Sequence, residues 1–127
     1  MDRKILVADD EIRFVEILKK CLRIKGYEVV TAFNGKSCLR VAAEEIPDLI
    51  LLDVNMPQLN GFQVCKALKK SDATKRIPVI MLTALAEEEY LSEGLERGVS
   101  CFISKPFSII DLYYEIDTVF ESCPDCG

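Results

Sequence analysis

An α/β fold built around one doubly wound parallel sheet is what this sequence predicts, from three observations. Five segments with a strand pattern alternate with five segments with a helix pattern along the chain. The strand segments are short apolar runs, as expected for strands buried on both faces. Several of them end at a polar side chain, where open α/β sheets place their ligand-binding residues. Because right-handed crossovers put helices on both faces, five such units predict a (βα)₅ sheet in the order 2-1-3-4-5.

The elements of the first half are delimited by turn and cap residues. Strands are predicted over residues 4–8 and 28–32, and helices over residues 12–25 and about 36–46. The core face of the first helix is marked by apolar residues at helical spacing, namely Phe14, Ile17, Leu18, Cys21 and Leu22. Gly26 ends this helix as a C-cap glycine. Asn34-Gly35 is a turn signal before the second helix, which Pro47 stops because proline cannot continue a helix.

The second half continues the alternation. Strands are predicted over residues 48–53, 79–83 and 100–104, and helices over about 61–70, from Glu87 to Gly98, and after Ser108. The acids of Glu87-Glu88-Glu89 suit the start of a helix because of its dipole. Ser108 is the expected N-cap of the last helix. The core face of that helix is expected at Ile109, Leu112, Ile116, Val119 and Phe120, while Tyr113 and Tyr114 are either core as well or exposed for a partner.

Composition excludes several classes of function. The chain has 127 residues, which fits one domain, and a net charge of −5 with basic residues scattered over the helices, which argues against direct nucleic-acid binding. The absence of histidine excludes a histidine phosphodonor, a His-based triad and a His-based zinc site. No apolar stretch approaches the ~20 residues that span a bilayer, and no secretory signal is present, so we expect a cytoplasmic protein without membrane contact.

Six cysteines are present, and four of them lie inside predicted elements. Cys21, Cys38, Cys65 and Cys101 are expected to be small buried hydrophobic residues and not disulfide partners. Cys123 and Cys126 belong to the tail, residues 122–127, whose Cys-Pro-x-Cys-Gly pattern resembles half of a zinc knuckle. Since this chain holds no second such pair, the tail is the start of a truncated zinc-binding or effector region, half of a metal site shared by two chains, a redox pair, or a disordered end.

Polar side chains at four strand ends point to phosphoryl chemistry. Asp9 and Asp10 follow the first strand, Asp53 ends the third, Thr83 ends the fourth, and Lys105 follows the fifth. Three carboxylates at one point repel each other, and a hard cation such as Mg²⁺ (or Mn²⁺) resolves the repulsion. A carboxylate is also a nucleophile towards phosphorus, and a lysine and a hydroxyl stabilise phosphoryl oxygens. Each residue alone has an ordinary explanation as a cap or turn, and only the combination is specific.

With these motifs the chain resembles the receiver domain of two-component response regulators, over residues 3 to about 121. The resemblance is carried by Ala8-Asp9-Asp10-Glu11, Asp53-Val54-Asn55-Met56-Pro57 with Gly61, Thr83-Ala84, and Lys105-Pro106-Phe107. It implies a flavodoxin-like fold. It also implies a function as a phosphoacceptor in a two-component phosphorelay, which takes a phosphoryl group from a sensor histidine kinase or a phosphotransfer protein and is not an enzyme in its own right.

The resemblance implies a role for each matching residue. Asp53 is the phosphoacceptor. Asp10, Asp53 and the backbone carbonyl of Asn55 hold the Mg²⁺ directly, and Asp9 helps through water. Lys105 pairs with the phosphoryl group. Thr83 is the switch hydroxyl, and Phe102 takes the position of the switch aromatic, where it lacks a hydroxyl of its own. Ala84 leaves room for its N–H to approach the phosphoryl group, and the apolar Leu85 predicts slow loss of phosphate.

Phosphorylation is expected to switch the face formed by the fourth helix, fifth strand and fifth helix, where a downstream effector protein or domain would bind. The cognate kinase, the output and any homodimer are left open by the sequence. Two alternatives remain. One is an interaction module of the same fold that works without phosphorylation. The other, favoured less, is a Mg²⁺-dependent phosphatase that passes through an aspartyl phosphate, although the chain is too short for the cap such enzymes carry.

Overall fold

The chain adopts the predicted alternating fold in a computed structural model that describes residues 3–83 and 99–122. The strands are β1 (Lys4–Ala8), β2 (Glu28–Ala32), β3 (Leu49–Asp53), β4 (Val79–Thr83) and β5 (Cys101–Ser104). The helices in the described part are α1 (Ile12–Ile24), α2 (Gly35–Glu45), α3 (Gly61–Lys70) and a C-terminal helix (Ile109–Ser122). The fourth helix predicted from Glu87, together with Ala84, Leu85 and the cysteine tail, lies outside the described residues.

The five strands form one parallel sheet in the order β2-β1-β3-β4-β5, as predicted. The central strands β3 and β4 are buried along their whole length, which explains why they are continuous apolar runs. In the register of the sheet, Asp53 lies beside Leu82 and Thr83 beside Ser104. The carboxyl ends of four strands therefore meet along one edge.

Side chains alternate between the two faces of the sheet and form two separate cores. On one face, β-strand residues pack against α1 and the C-terminal helix, with Leu18, Leu22, Leu112 and Ile116 among the buried contacts. On the other face they pack against α2 and α3, with Cys38, Ala42, Phe62 and Leu68 among the buried contacts. Helices on both faces are what make the sheet doubly wound.

Helix ends follow the predicted signals closely. Gly26, beyond the end of α1, has φ = 97°, a conformation that glycine adopts without steric cost. Asn34 caps α2 by accepting the Ser37 N–H at 2.8 Å. The Ser108 hydroxyl accepts the Asp111 N–H at 3.1 Å at the start of the C-terminal helix, which confirms the predicted cap.

Three expectations about individual side chains were wrong. Ile17 was assigned to the core face of α1 but is 61% exposed, while Val15 is fully buried in its place. Helical spacing fits both stripes, and only the packing of α1 on the sheet selects one. Cys21 and Cys101 are half-buried, in contrast to the buried Cys38 and Cys65.

Among the described residues, no helix combines the length and apolar character needed to cross a membrane.

Candidate functional site

Three carboxylates converge at the carboxyl edge of the sheet. Asp9 directly follows β1 and Asp53 ends β3, and these two strands are neighbours. Asp9 is fully buried, Asp53 is 5% exposed, and Asp10 is exposed. One carboxylate oxygen from each of the three lies within 4.8 Å of the others. The predicted acidic cluster is therefore present.

Lys105 reaches this cluster from the loop after β5. Its Nζ lies 2.8 Å from Oδ2 of Asp9 and 3.5 Å from Oδ1 of Asp53, so the shorter ion pair is with Asp9. The other oxygen of Asp9 accepts the Glu11 N–H at 2.9 Å. Both oxygens of Asp9 thus have hydrogen-bond partners, while the ion pair between Lys105 and Asp53 is longer and weaker.

The pKa of Asp53 is raised from 3.8 to about 6. Burial is the main cause and the negative charge of Asp9 the second, while Lys105 and a hydrogen bond from the backbone of Asn55 act in the opposite direction. For Lys105, burial lowers the pKa, but the hydrogen bond and charge of Asp9, with those of Asp53, outweigh it and leave the pKa raised. The site therefore holds a charged lysine and more negative charge than that lysine compensates.

Oxygen donors of this kind fit a hard divalent cation. Mg²⁺ binds carboxylate oxygens and keeps several waters, so one exposed and two buried carboxylates around a small space suit it. Burial and the charge of Asp9 both raise the pKa of Asp53, and a cation bound beside it would favour the ionised form. Asn55 is exposed directly beyond β3, and the resemblance alone assigns its carbonyl to the metal.

Gly61 fixes the loop that carries Asp53 and Asn55. Its N–H donates to the Val54 carbonyl at 2.8 Å. A Cβ at this position would lie 2.5 Å from the Asp53 carbonyl oxygen and 2.9 Å from Val54 Cα. Only glycine allows the start of α3 to approach the backbone of Asp53 so closely, because any larger residue would displace one or the other.

Thr83 ends β4, and Phe102 lies in the neighbouring strand β5. Thr83 is 1% exposed, and its carbonyl accepts the Lys105 N–H at 2.6 Å. Phe102 pairs in register with Met81, two residues before Thr83, so both side chains point to the same face. The Phe102 ring is half-buried, with its centroid 6.3 Å from that of Phe62. A threonine and a half-buried aromatic ring therefore lie on the same face of two adjacent strands.

Sequence reasoning missed the part that Phe14 plays at the site. The ring of Phe14 lies 4.4 Å from Lys105 Nζ and forms an edge contact with Phe107 at 5.9 Å between centroids. An open hollow of about 400 Å³ is lined by Phe14, Lys105, Pro106 and Phe107. Helical spacing assigned Phe14 to the core, and only its place in the first turn after the acids hinted at the site. The ring holds the lysine by a cation–π contact.

The comparisons with known proteins agree with this geometry. The family model described as "Response regulator receiver domain" matches residues 5–117. Response regulator PleD of Caulobacter vibrioides is 42% identical over 116 residues, which are 91% of this chain and 26% of that protein. The alkaline phosphatase synthesis transcriptional regulatory protein PhoP of Bacillus subtilis is 45% identical over 108 residues, 85% of this chain and 44% of that protein. The chain thus spans between a quarter and a half of the length of these relatives.

Solved structures show the same architecture. Chemotaxis protein CheY4 of Vibrio cholerae superposes with a TM-score of 0.90 at 34% identity, covering 94% of this chain and 99% of that one. A CheY-like receiver domain protein from Methanospirillum hungatei superposes with a TM-score of 0.93 at 26% identity, covering 100% of both chains. From its sequence, its fold and the cluster of acids beside a lysine, this chain belongs to the response regulator receiver domain family.

Proposed function

We propose that the chain is the phosphoacceptor receiver of a two-component phosphorelay, with Asp53 as the residue that accepts the phosphoryl group. The observation that carries the proposal is the meeting of Asp53, Asp9, Asp10 and Lys105 at one edge of the sheet. In this family, histidine kinases or phosphotransfer proteins are the general donors, and effector proteins or domains are the general outputs. The proposal includes a cytoplasmic location, because kinases draw their phosphoryl groups from ATP inside the cell.

Asp53 suits the role of nucleophile because it is nearly buried and incompletely paired. One of its carboxylate oxygens would attack the phosphorus of a phosphohistidine, so that a P–O bond forms while the P–N bond breaks and the imidazole leaves with the electron pair. Water has little access to a group that is 5% exposed. At neutral pH most of this carboxyl is ionised, since its pKa is about 6.

A divalent cation, Mg²⁺ or Mn²⁺, is part of the proposal. Asp10, Asp53 and the carbonyl of Asn55 would hold it directly, and Asp9 through water. When bound, the ion neutralises charge on the phosphoryl oxygens and on the carboxylates. Asp9 then keeps Lys105 in place, since the ammonium group lies 2.8 Å from it before any phosphoryl group arrives.

Lys105 and Thr83 would respond to the phosphoryl group on Asp53. Lys105 Nζ is already within 3.5 Å of Asp53 Oδ1, so a small movement would pair it with a phosphoryl oxygen. Thr83 is joined to Lys105 by the 2.6 Å backbone hydrogen bond, so the ends of β4 and β5 would move together. If the Thr83 hydroxyl turns towards the phosphoryl group, the half-buried Phe102 ring can move into the space it leaves. This would switch the surface around β5.

The test is the intact mass of the protein after incubation with Mg²⁺ and a small phosphoryl donor such as acetyl phosphate or phosphoramidate. Wild type should gain one phosphoryl group, and Asp53→Asn should gain none. Asp48→Asn is the matched control, because Asp48 immediately precedes the same strand at its other end and accepts the Lys4 N–H at 2.8 Å. The control should gain the group as wild type does.

Other outcomes would point to other functions. No added mass in wild type would contradict the phosphoacceptor role and favour an interaction module that works without phosphate. Continuous hydrolysis of the donor without retained mass would favour a phosphatase. Removal of divalent cations with EDTA should abolish the mass gain, and an undiminished gain would contradict the proposed metal requirement.

A further inference from the structure

Helix α1 and the C-terminal helix lie side by side on one face of the sheet. The Tyr113 hydroxyl donates to the Cys21 carbonyl at 2.7 Å, and the ammonium group of Lys25 lies 5.1 Å from the Tyr113 ring centroid. Nearer the acidic cluster, the rings of Phe14 and Phe107 meet at 5.9 Å. The two helices therefore form a continuous pair, with an outer surface that faces away from the sheet.

Helix α1 carries a ridge of apolar side chains along this helix pair, and the fold leaves part of that ridge exposed. Phe14, Ile17, Cys21 and Ile24 follow each other at intervals of three or four residues, so they form one ridge of the helix. Phe14 and Cys21 make the contacts to the C-terminal segment described above. Ile17 and Ile24 continue the same ridge but are 61% and 84% exposed.

The C-terminal helix has a matching ridge. Tyr113 contacts α1, and one turn later Asp117 accepts the Tyr27 hydroxyl at 3.4 Å. Ile110 lies three residues before Tyr113 on the same ridge, and it is 74% exposed, while the adjacent Tyr114 is 67% exposed. Four of the seven large apolar side chains that are exposed in the described part of the chain thus lie on one surface, the two-helix face, defined here by Ile17, Ile24, Ile110 and Tyr114.

The two helices of this face carry opposite charge. On α1 the basic residues beside Ile17 are Arg13 and Lys20, about 40° and 60° around the helix from it, whereas Lys19 and Arg23 lie on the side of Ile12. The C-terminal helix contains no basic residue, and its acids beside Tyr114 are Asp117 and Glu121, about 60° and 20° around the helix from it, while Glu115 accepts a hydrogen bond from Cys101 of β5 instead. A surface with one basic half and one acidic half is complementary to itself when it is rotated by half a turn.

We propose that the two-helix face is the interface between two copies of this chain. A two-fold axis parallel to the helix pair places α1 of each copy on the C-terminal helix of the other. The exposed isoleucines and Tyr114 are then buried in the middle, and each basic helix meets an acidic one. The charges favour a second copy as the binding partner. Its acidic helix lies opposite the basic helix of the first copy, and its basic helix lies opposite the acidic one.

Sedimentation equilibrium of the unphosphorylated protein, from low micromolar to near-millimolar concentration, tests the interface. Wild type should show a monomer–dimer equilibrium that weakens as salt is raised. Ile17→Asp and Tyr114→Asp should each weaken the dimer by about tenfold or more. Ile12→Asp is the matched control, because Ile12 is 60% exposed on the same helix, but about 140° around it from Ile17. This control should leave the dimer unchanged.

Charge reversal gives an independent readout. Lys20→Glu should weaken the dimer. The double variant Lys20→Glu with Asp117→Lys should recover part of the loss, because it restores opposite charges where α1 of one copy meets the C-terminal helix of the other. A wild type that is monomeric at every concentration would overturn the inference. So would a dimer that Ile17→Asp and Ile12→Asp affect equally, because it would use another face or another partner surface.

Discussion

The charge imbalance around Asp53 leads to a prediction about stability. Replacement of Asp53 by Asn should raise the free energy of unfolding of the metal-free protein at pH 7. The carboxylate at this position is ionised at neutral pH in a place where burial and Asp9 disfavour its charge. Asparagine has nearly the same shape and carries no charge, so the variant removes the electrostatic penalty and leaves the packing intact.

The magnitude follows from the shift in pKa. Burial and Asp9 raise the pKa of Asp53 from 3.8 to about 6. A shift of about 2 units at ~1.36 kcal/mol per unit corresponds to about 3 kcal/mol at pH 7. Because the folded-state pKa lies above the unfolded one, this group's stabilising contribution is complete below about pH 4 and is lost as the pH rises through about 6. The difference between variant and wild type should therefore shrink to about half at pH 5.

Urea unfolding in the presence of EDTA, at pH 7 and pH 5, measures this difference. Asp72→Asn is the control, because that side chain is 96% exposed and its replacement should leave the unfolding free energy at the wild-type value. Addition of Mg²⁺ should stabilise wild type more than the Asn variant. An Asn variant that is no more stable than wild type at pH 7, or a difference that does not shrink towards pH 5, would refute the reasoning.

Three further predictions concern single residues. Gly61→Ala should destabilise the protein by about 1–3 kcal/mol in urea unfolding, because its Cβ would lie 2.5 Å from the Asp53 carbonyl oxygen. The variant should also take up the phosphoryl group more slowly, as measured by intact mass. An unchanged stability and an unchanged rate of uptake would argue against this close approach. Ile46→Asn should stabilise the protein by about 1 kcal/mol, since Ile46 has φ = 42° at the end of α2 and asparagine tolerates this conformation; a lower urea midpoint would contradict it. Lys105→Met should raise the pKa of Asp53 further, because the lysine charge opposes the effect of burial. The Asp53 carboxyl resonance should then titrate at higher pH by NMR. An unchanged midpoint would show that the lysine charge acts on Asp9 alone.

Local signals predicted the elements within residues 3–83 and 99–122 to within one or two residues. Gly26 and Ser108 were predicted as caps from residue type alone, and they show the expected conformation and hydrogen bond, while Asn34, predicted only as a turn residue, caps α2. These signals are local because a cap depends on one side chain and on backbone groups within three residues of it. Local signals could not predict whether Val15 or Ile17 of α1 is buried. The two helix stripes are equally apolar, and the contact of α1 with the sheet decides which of them is buried.

The sequence by itself determined the strand order and the set of side chains at the carboxyl edge. Runs of apolar residues that end in Asp9, Asp53 and Thr83 leave few other arrangements for a parallel sheet. Tertiary structure alone decided how the charges are shared. It placed Lys105 closer to Asp9 than to Asp53, put Phe14 beneath the ammonium group, and left Asp53 with a raised pKa. The physical reason is that strand order follows from local patterns and chain topology. Ion pairing instead depends on differences of less than an ångström in the distances between residues that are far apart in the chain, here 2.8 Å against 3.5 Å.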